Sequence, residues 1–301
     1  MDTSVSSTDE TARLTVSDTK QYRQQVEEAA ENLRARIGGL PSTVVATGRS
    51  LDLASDTYSV DQSISFSDIP HMPELDDPVG MDQETGDAAP GRGVLEVGEL
   101  ADRAVTVVRG RRHAYDGATP REVTFPIRLL GTMGIDTLIL LGGAVGLGPN
   151  QEVGDLFLVT DHINFQGSNP LVGPNVDAWG PRFPDMSEPY DPALRRSVTD
   201  AALERGVRLH KGTYLAVQGP GRETAAEAQM LRTLGAEAVG MSLVSEVIVA
   251  RHMNIRTLGL VLLTAVARGR QSGKDVDVAR RPPDAVSAIV TDLLREFVQA
   301  P

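Results

Sequence analysis

Glu223 follows the run Gly219-Pro220-Gly221 and is read as a buried acid opening a helix. The next strand runs into the turn Val239-Gly240-Met241-Ser242. Small residues, a flexible thioether and a hydroxyl at a strand end allow backbone to approach a ligand closely. An acid and a methionine on neighbouring elements suit a ligand that is polar at one end and flat or apolar at the other. A second group is Arg111, His113 and Tyr115, which would share one face if the preceding strand continued through them. Arg111 could grip an oxyanion with two parallel N–H donors and His113 could add another. The glycine-rich stretch 142–148 could aim backbone N–H groups at an anion, although it has neither the lysine of a triphosphate loop nor a GxGxxG pattern. Last, Asp161-His162-Ile163-Asn164 leads into an irregular segment holding Trp179, the only tryptophan, which is either a packing anchor or a stacking surface.

The elements that must position these groups alternate along the chain. Apolar runs predict strands over 43–47, 104–108, 137–141, 155–160, 213–217, 236–241 and 257–264. Helical spacing predicts helices from about 17 to 37 and over 125–133, 192–205, 224–234, 244–253 and 283–298. This alternation argues for one α/β domain with a mostly parallel sheet between helices, its ligand off the carboxyl ends of the strands. Residues 1–16 read as a mobile tail ahead of a single domain at 17–301. An acidic surface loop is expected at 73–93 and a lid-like loop at 265–283.

Composition excludes several functions. The formal charge of −12 argues against a nucleic-acid surface, which would draw its affinity from Lys and Arg. Lysine is confined to Lys20, Lys211 and Lys274, so arginine supplies nearly all positive charge. Without cysteine there are no disulfides, thiolate metal sites or Cys nucleophile. No apolar run reaches the length of a membrane span and no signal pattern opens the chain, so a soluble, cytoplasmic protein is expected.

Taken in order, GRRHAYDG, GLGPNQEVGD, TDHINFQGSNPLVGPN, RFPDMSEPYD, GTYLAVQGPGRET and VGMSLVSEVIVARH resemble the trimeric, low-molecular-mass purine nucleoside phosphorylases and methylthioadenosine phosphorylases. The resemblance covers nearly the whole chain. It implies a single-domain α/β/α sandwich with a mixed, distorted central sheet, assembled as a homotrimer. The implied reaction is reversible phosphorolysis of a purine (deoxy)ribonucleoside to free base and (deoxy)ribose 1-phosphate, with inorganic phosphate as co-substrate and no cofactor or metal. It also implies roles. Arg111, His113, the backbone at Gly143, Ser242 and the loop at Arg49 and Ser50 would hold phosphate; Tyr115, Met241 and Trp179 would frame the ribose, Trp179 being donated by a neighbouring subunit. Glu223, Val239, Gly240, Thr264 and Ala265 would meet the base, with Glu223 and His113 as the catalytic pair. This chain departs from the family pattern at Arg49 (serine there), Gly142 (asparagine), Arg222 (an aromatic) and Ala265 (asparagine or aspartate). Arg49 and Arg222 would equally suit an anionic nucleoside-like ligand, and a non-catalytic trimeric binding or scaffold protein stays open as a third reading.

Overall fold

The computed structural model describes residues 14–48, 51, 53, 58–75, 93–100, 102–267, 291 and 295. Most of the expected tail, acidic loop, lid and last helix therefore lie outside the described residues, as do Arg49 and Ser50. Helix α1 (Val16–Ile37) starts at a capping box in which Thr15 and Asp18 satisfy each other's backbone N–H groups. Strand β1 is Thr43–Thr47, followed by β2 (Tyr58–Ser65), β3 (Val94–Leu100) and β4 (Arg103–Arg109). Helix α2 (Pro120–Met133) has proline at its first turn and a Thr119–Glu122 capping box. There follow β5 (Thr137–Gly146), β6 (Leu156–Asn164), α3 (Pro192–Glu204) and β7 (Leu209–Ala216). The last elements are α4 (Ala225–Thr233), β8 (Ala238–Gly240), α5 (Val244–His252) and β9 (Arg256–Val266).

The strands form one sheet in the order β2-β3-β4-β1-β5-β8-β7-β6-β9, and an extra β5–β9 pairing closes its second half into a ring. The mostly parallel sheet expected from alternation is corrected here. The pairs β1–β4, β1–β5, β5–β9, β6–β7 and β7–β8 are parallel, but β2–β3, β3–β4, β5–β8 and β6–β9 are antiparallel. The mixed sheet implied by the family resemblance is the one observed. Strands β2 and β3 escaped the sequence reading because β2 exposes most of its residues and so lacks an apolar run.

Alternation along the central strands explains the layers. Val44, Ala46, Leu138 and Leu140 point into a core with α1, α2 and α5. Their neighbours Val45, Ile139 and Leu141 point the other way, into a core with Leu194, Val198, Ala201 and Ala202 of α3. Buried on both faces, β1 and β5 read as continuous apolar runs. The result is an α/β/α sandwich.

Candidate active site

Arg111 organises the site. It lies just beyond β4, where the chain has left the sheet. The alternation that would have put Arg111, His113 and Tyr115 on one face therefore does not apply, since β4 ends at Arg109 and 114–116 form a short 3-10 turn. Its side chain is nonetheless buried. Nε donates to Glu246 Oε1 at 2.9 Å, Nη1 to the Leu141 carbonyl at 2.5 Å and Nη2 to the Ala46 carbonyl at 2.9 Å. Both side chains of the Arg111–Glu246 pair are 7 % exposed. These contacts occupy three of the five N–H donors of a guanidinium, leaving one on each terminal nitrogen for an oxyanion.

Two glycines bring the backbone into contact range of Arg111. A Cβ at Gly48, at the end of β1, would lie 3.4 Å from Arg111 Nη1. One at Gly142, in β5, would lie 3.6 Å from the same atom and 3.5 Å from Ser242 Oγ. The ends of β1, the middle of β5 and the turn before α5 thus converge on one guanidinium. The expected glycine-rich turn at 142–148 is corrected in the same stroke, because β5 runs on as strand to Gly146.

Ser242 and Leu243 form the entry to α5. Leu243 holds a left-handed backbone at φ 66°, which is strained for a branched residue. Glu246 Oε2 accepts its N–H at 3.1 Å, so one carboxylate both caps the helix and pairs with Arg111. Below the turn, the buried Tyr214 hydroxyl approaches the Ser242 N–H at 3.4 Å, and burial pushes its pKa up to about 12. Gly240 is obligatory here, since a Cβ would fall 2.1 Å from Tyr214 Oη. Gly219 is equally constrained: its φ is 75° and a Cβ would sit 2.4 Å from Met241 Sδ. Within the Gly219-Pro220-Gly221 run, Gly219 thus makes room for Met241.

A cavity of about 230 Å³ opens against these groups, its walls including Arg111, His113, Gln166, Met241, Ser242 and Glu246. His113 stacks on Tyr115 with ring centroids 4.6 Å apart, and its Nδ1 is 3.7 Å from the Asp116 carboxylate. The first turns of α2 and α5 also reach the wall, at Pro120 and Val123 and at Ser245 and Glu246. Helix N-termini favour an anion through their outward-facing N–H groups. Ser245 Oγ donates to Gln166 Oε1 at 3.1 Å, tying α5 to the segment after β6. Among the described residues no group of three or more His, Cys, Asp or Glu side chains is placed to hold a metal ion.

The structure therefore brings Arg111, His113, Met241 and Ser242 together, with Tyr115 on the back of His113. Among the described residues it does not place the other candidates on the cavity wall. Glu223 is half-exposed rather than buried, and the helix begins after it, with Thr224 as N-cap and Glu227 completing a capping box. Arg222 beside it is exposed. Val239 and Ala265 flank Val145 in the sheet, one on β8 and the other on β9, and both are buried. Thr264 Oγ1 donates to the Ala144 carbonyl at 3.3 Å. Gly143 is strand backbone in β5.

Trp179 is a packing anchor within its own chain. It meets Tyr22 edge-on at 5.8 Å and lies under the Arg128 guanidinium at 4.5 Å, beside a different and smaller cavity. Of the two readings of Trp179, the packing contact is the one seen within this chain. Glu246, Gln166 and Ser245 were missed by the sequence reading. The available signal was Glu246 itself, an acid inside the mostly apolar stretch from Val244 to Ala250.

The family described as the phosphorylase superfamily matches residues 67–295. Purine nucleoside phosphorylase 1 of Geobacillus stearothermophilus is 40% identical over 247 residues, covering 82% of this chain and 86% of the relative. Purine nucleoside phosphorylase of Bos taurus is 40% identical over 244 residues, covering 79% and 80%. A schistosoma purine nucleoside phosphorylase solved with hypoxanthine superposes with a TM-score of 0.79 at 29% identity, covering 92% of this chain and 98% of that one. With fold and sequence in agreement over most of its length, the chain belongs to the phosphorylase superfamily as a member of the purine nucleoside phosphorylase family.

Proposed function

We infer that this chain is a purine nucleoside phosphorylase, a pentosyltransferase that cleaves a purine (deoxy)ribonucleoside with phosphate. The observation that carries the reading is the convergence of Arg111, His113, Ser242 and the first turn of α5 on one cavity. In this reading phosphate binds there, taking the two spare N–H groups of Arg111, the His113 ring and the Ser242 hydroxyl, with Gly143 backbone and the loop at Arg49 and Ser50 as further contacts. The pentose lies against Met241 and Tyr115. The base meets Glu223, Val239, Gly240, Thr264 and Ala265.

The chemistry required is electrostatic. The C1′–N9 bond breaks with its electron pair leaving on the purine, the sugar develops oxocarbenium character, and phosphate beneath it stabilises that charge before an oxygen bonds to C1′. Arg111 is suited to this because Glu246 and two carbonyls fix its plane before substrate arrives. Alanine at 265 supplies no side-chain partner for the ring nitrogen that takes up charge, and the lack of one such group costs about 10²–10³ in rate.

A homotrimer of 32.2 kDa chains, a cytoplasmic location and no cofactor beyond phosphate complete the reading. Steady-state kinetics of Ser242→Ala and His113→Gln test the site. A raised KM for phosphate with little change in KM for nucleoside is expected. The opposite pattern would remove both residues from the phosphate contact.

A further inference from the structure

Arg128 is a buried cation that pairs with no carboxylate among the described residues. It sits on α2, 5 % exposed, and points away from the active-site cavity. Its Nη1 is 2.8 Å from His252 Nδ1 and its guanidinium lies over the Trp179 ring. His252 is 2 % exposed, and its other nitrogen, Nε2, faces the Asn175 Oδ1 at 3.2 Å. The Asn175 amide oxygen can only accept, because its Nδ2 already donates to Asp177 Oδ1 at 2.8 Å and to the Gly180 carbonyl at 3.0 Å. Hence Nε2 carries the proton and Nδ1 accepts from Arg128, so the histidine is neutral. Burial and the adjacent arginine push its pKa down to about 4, in agreement.

Among the described residues, the nearby carboxylates are engaged elsewhere: Asp18 is hydrogen-bonded by Thr15 and lies by Arg121, which together lower its pKa. Asp177 is exposed and engaged by Asn175. Among the described residues no carboxylate pairs with Arg128, and its remaining N–H groups have no protein acceptor. A second cation, Arg121, stands on the same wall with its Nη2 on Thr19 Oγ1 at 2.8 Å. Burial lowers the Arg128 pKa only to about 10, so the group is charged at neutral pH. The face of one tryptophan offsets only part of the cost of leaving such a charge unpaired.

A cavity of about 30 Å³ adjoins both arginines, walled by Thr19, Thr124, Asn175, Val176 and Trp179 among others. A water needs roughly 10–15 Å³ of such space, so the cavity suits a small occupant such as a halide ion. We propose that this cavity is a binding site for a small monatomic anion of the chloride class, which neutralises Arg128 and fixes the α2–Trp179 packing. The site is separate from the phosphate grip at Arg111.

Trp179 is the only tryptophan and lines this cavity, so its emission responds to an occupant there. The purified full chain is titrated with sodium chloride at constant ionic strength, balanced with sodium gluconate, whose anion is too large to enter. A saturable change in Trp179 emission and a higher Tm in chloride are expected, both lost in Arg128→Gln. Should that variant fail to fold, Val176→Asp provides the second arm. It is close in volume, breaks no side-chain hydrogen bond and builds a carboxylate into the wall, so its Tm should no longer respond to chloride. Equal emission and equal Tm in chloride and gluconate for the unaltered chain would overturn the proposal, leaving water as the occupant. A chloride response that persists undiminished in Val176→Asp or Arg128→Gln would do the same.

Discussion

Replacing Glu246 by glutamine tests how the phosphate side of the site is built. The wild-type pair is short at 2.9 Å and only 7 % of each side chain is exposed, so solvent screens it little. Removing one member of a buried pair costs about 3–5 kcal/mol because the other charge is stranded. Glutamine can keep a hydrogen bond to Arg111 Nε but not the charge, so the expected loss is near ~3 kcal/mol. Glu246→Ala also releases the Leu243 N–H from its cap, adding ~1 kcal/mol. Arg111→Met combined with Glu246→Gln should recover much of the loss, since a neutral pair of similar volume no longer buries a lone charge. Urea unfolding followed at one fixed protein concentration reads these differences as midpoint shifts at constant slope. A Glu246→Gln midpoint within about 0.5 kcal/mol of wild type, the range of ordinary surface changes, would refute the reasoning.

Other perturbations follow from the same geometry. Gly240→Ala places a methyl 2.1 Å from Tyr214 Oη and should destabilise by ~1–3 kcal/mol, with partial recovery in Gly240→Ala/Tyr214→Phe; absence of recovery would point to a different clash. Ala265→Asn restores a side-chain partner for the leaving base and should raise turnover on 6-oxopurine nucleosides; an unchanged rate would take position 265 out of the base contact. His252 is neutral in the fold, with its pKa lowered from 6.5 to about 4, so the unfolded chain binds the extra proton first. Its contribution is complete above about pH 6.5 and is lost as pH falls toward 4. Urea midpoints should therefore drop from pH 7 to pH 5, less steeply in His252→Gln; identical slopes in the two proteins would refute this.

Much of the fold is legible locally because its signals are short-range. Strand β1 reads directly as 43–47, Pro192 after Asp191 marks the start of α3, and Thr224 with Glu227 marks that of α4. What is not legible depends on long-range contact. Strands β2 and β3 are strands because they pair at the sheet edge, which a polar sequence such as Tyr58–Ser65 does not announce. The burial of Arg111 requires Leu141, Ala46 and Glu246, which come from β5, β1 and α5. Conversely, Gly219-Pro220-Gly221 suggests a buried acid at Glu223, whereas the glycine accommodates Met241 and leaves the acid half-exposed. Trp179, in a polar loop by sequence, packs on Tyr22 and Arg128 from helices far away along the chain.

The central claim is phosphorolysis, and its most direct measurement is release of free base from a nucleoside panel by the purified chain, with and without phosphate. The panel comprises inosine, guanosine, adenosine, xanthosine, methylthioadenosine and a 5′-nucleotide. The account predicts that at least one neutral nucleoside yields base only when phosphate is present, with pentose 1-phosphate formed in equal amount. Folded protein that releases no base from any member, or releases it equally without phosphate, would contradict it.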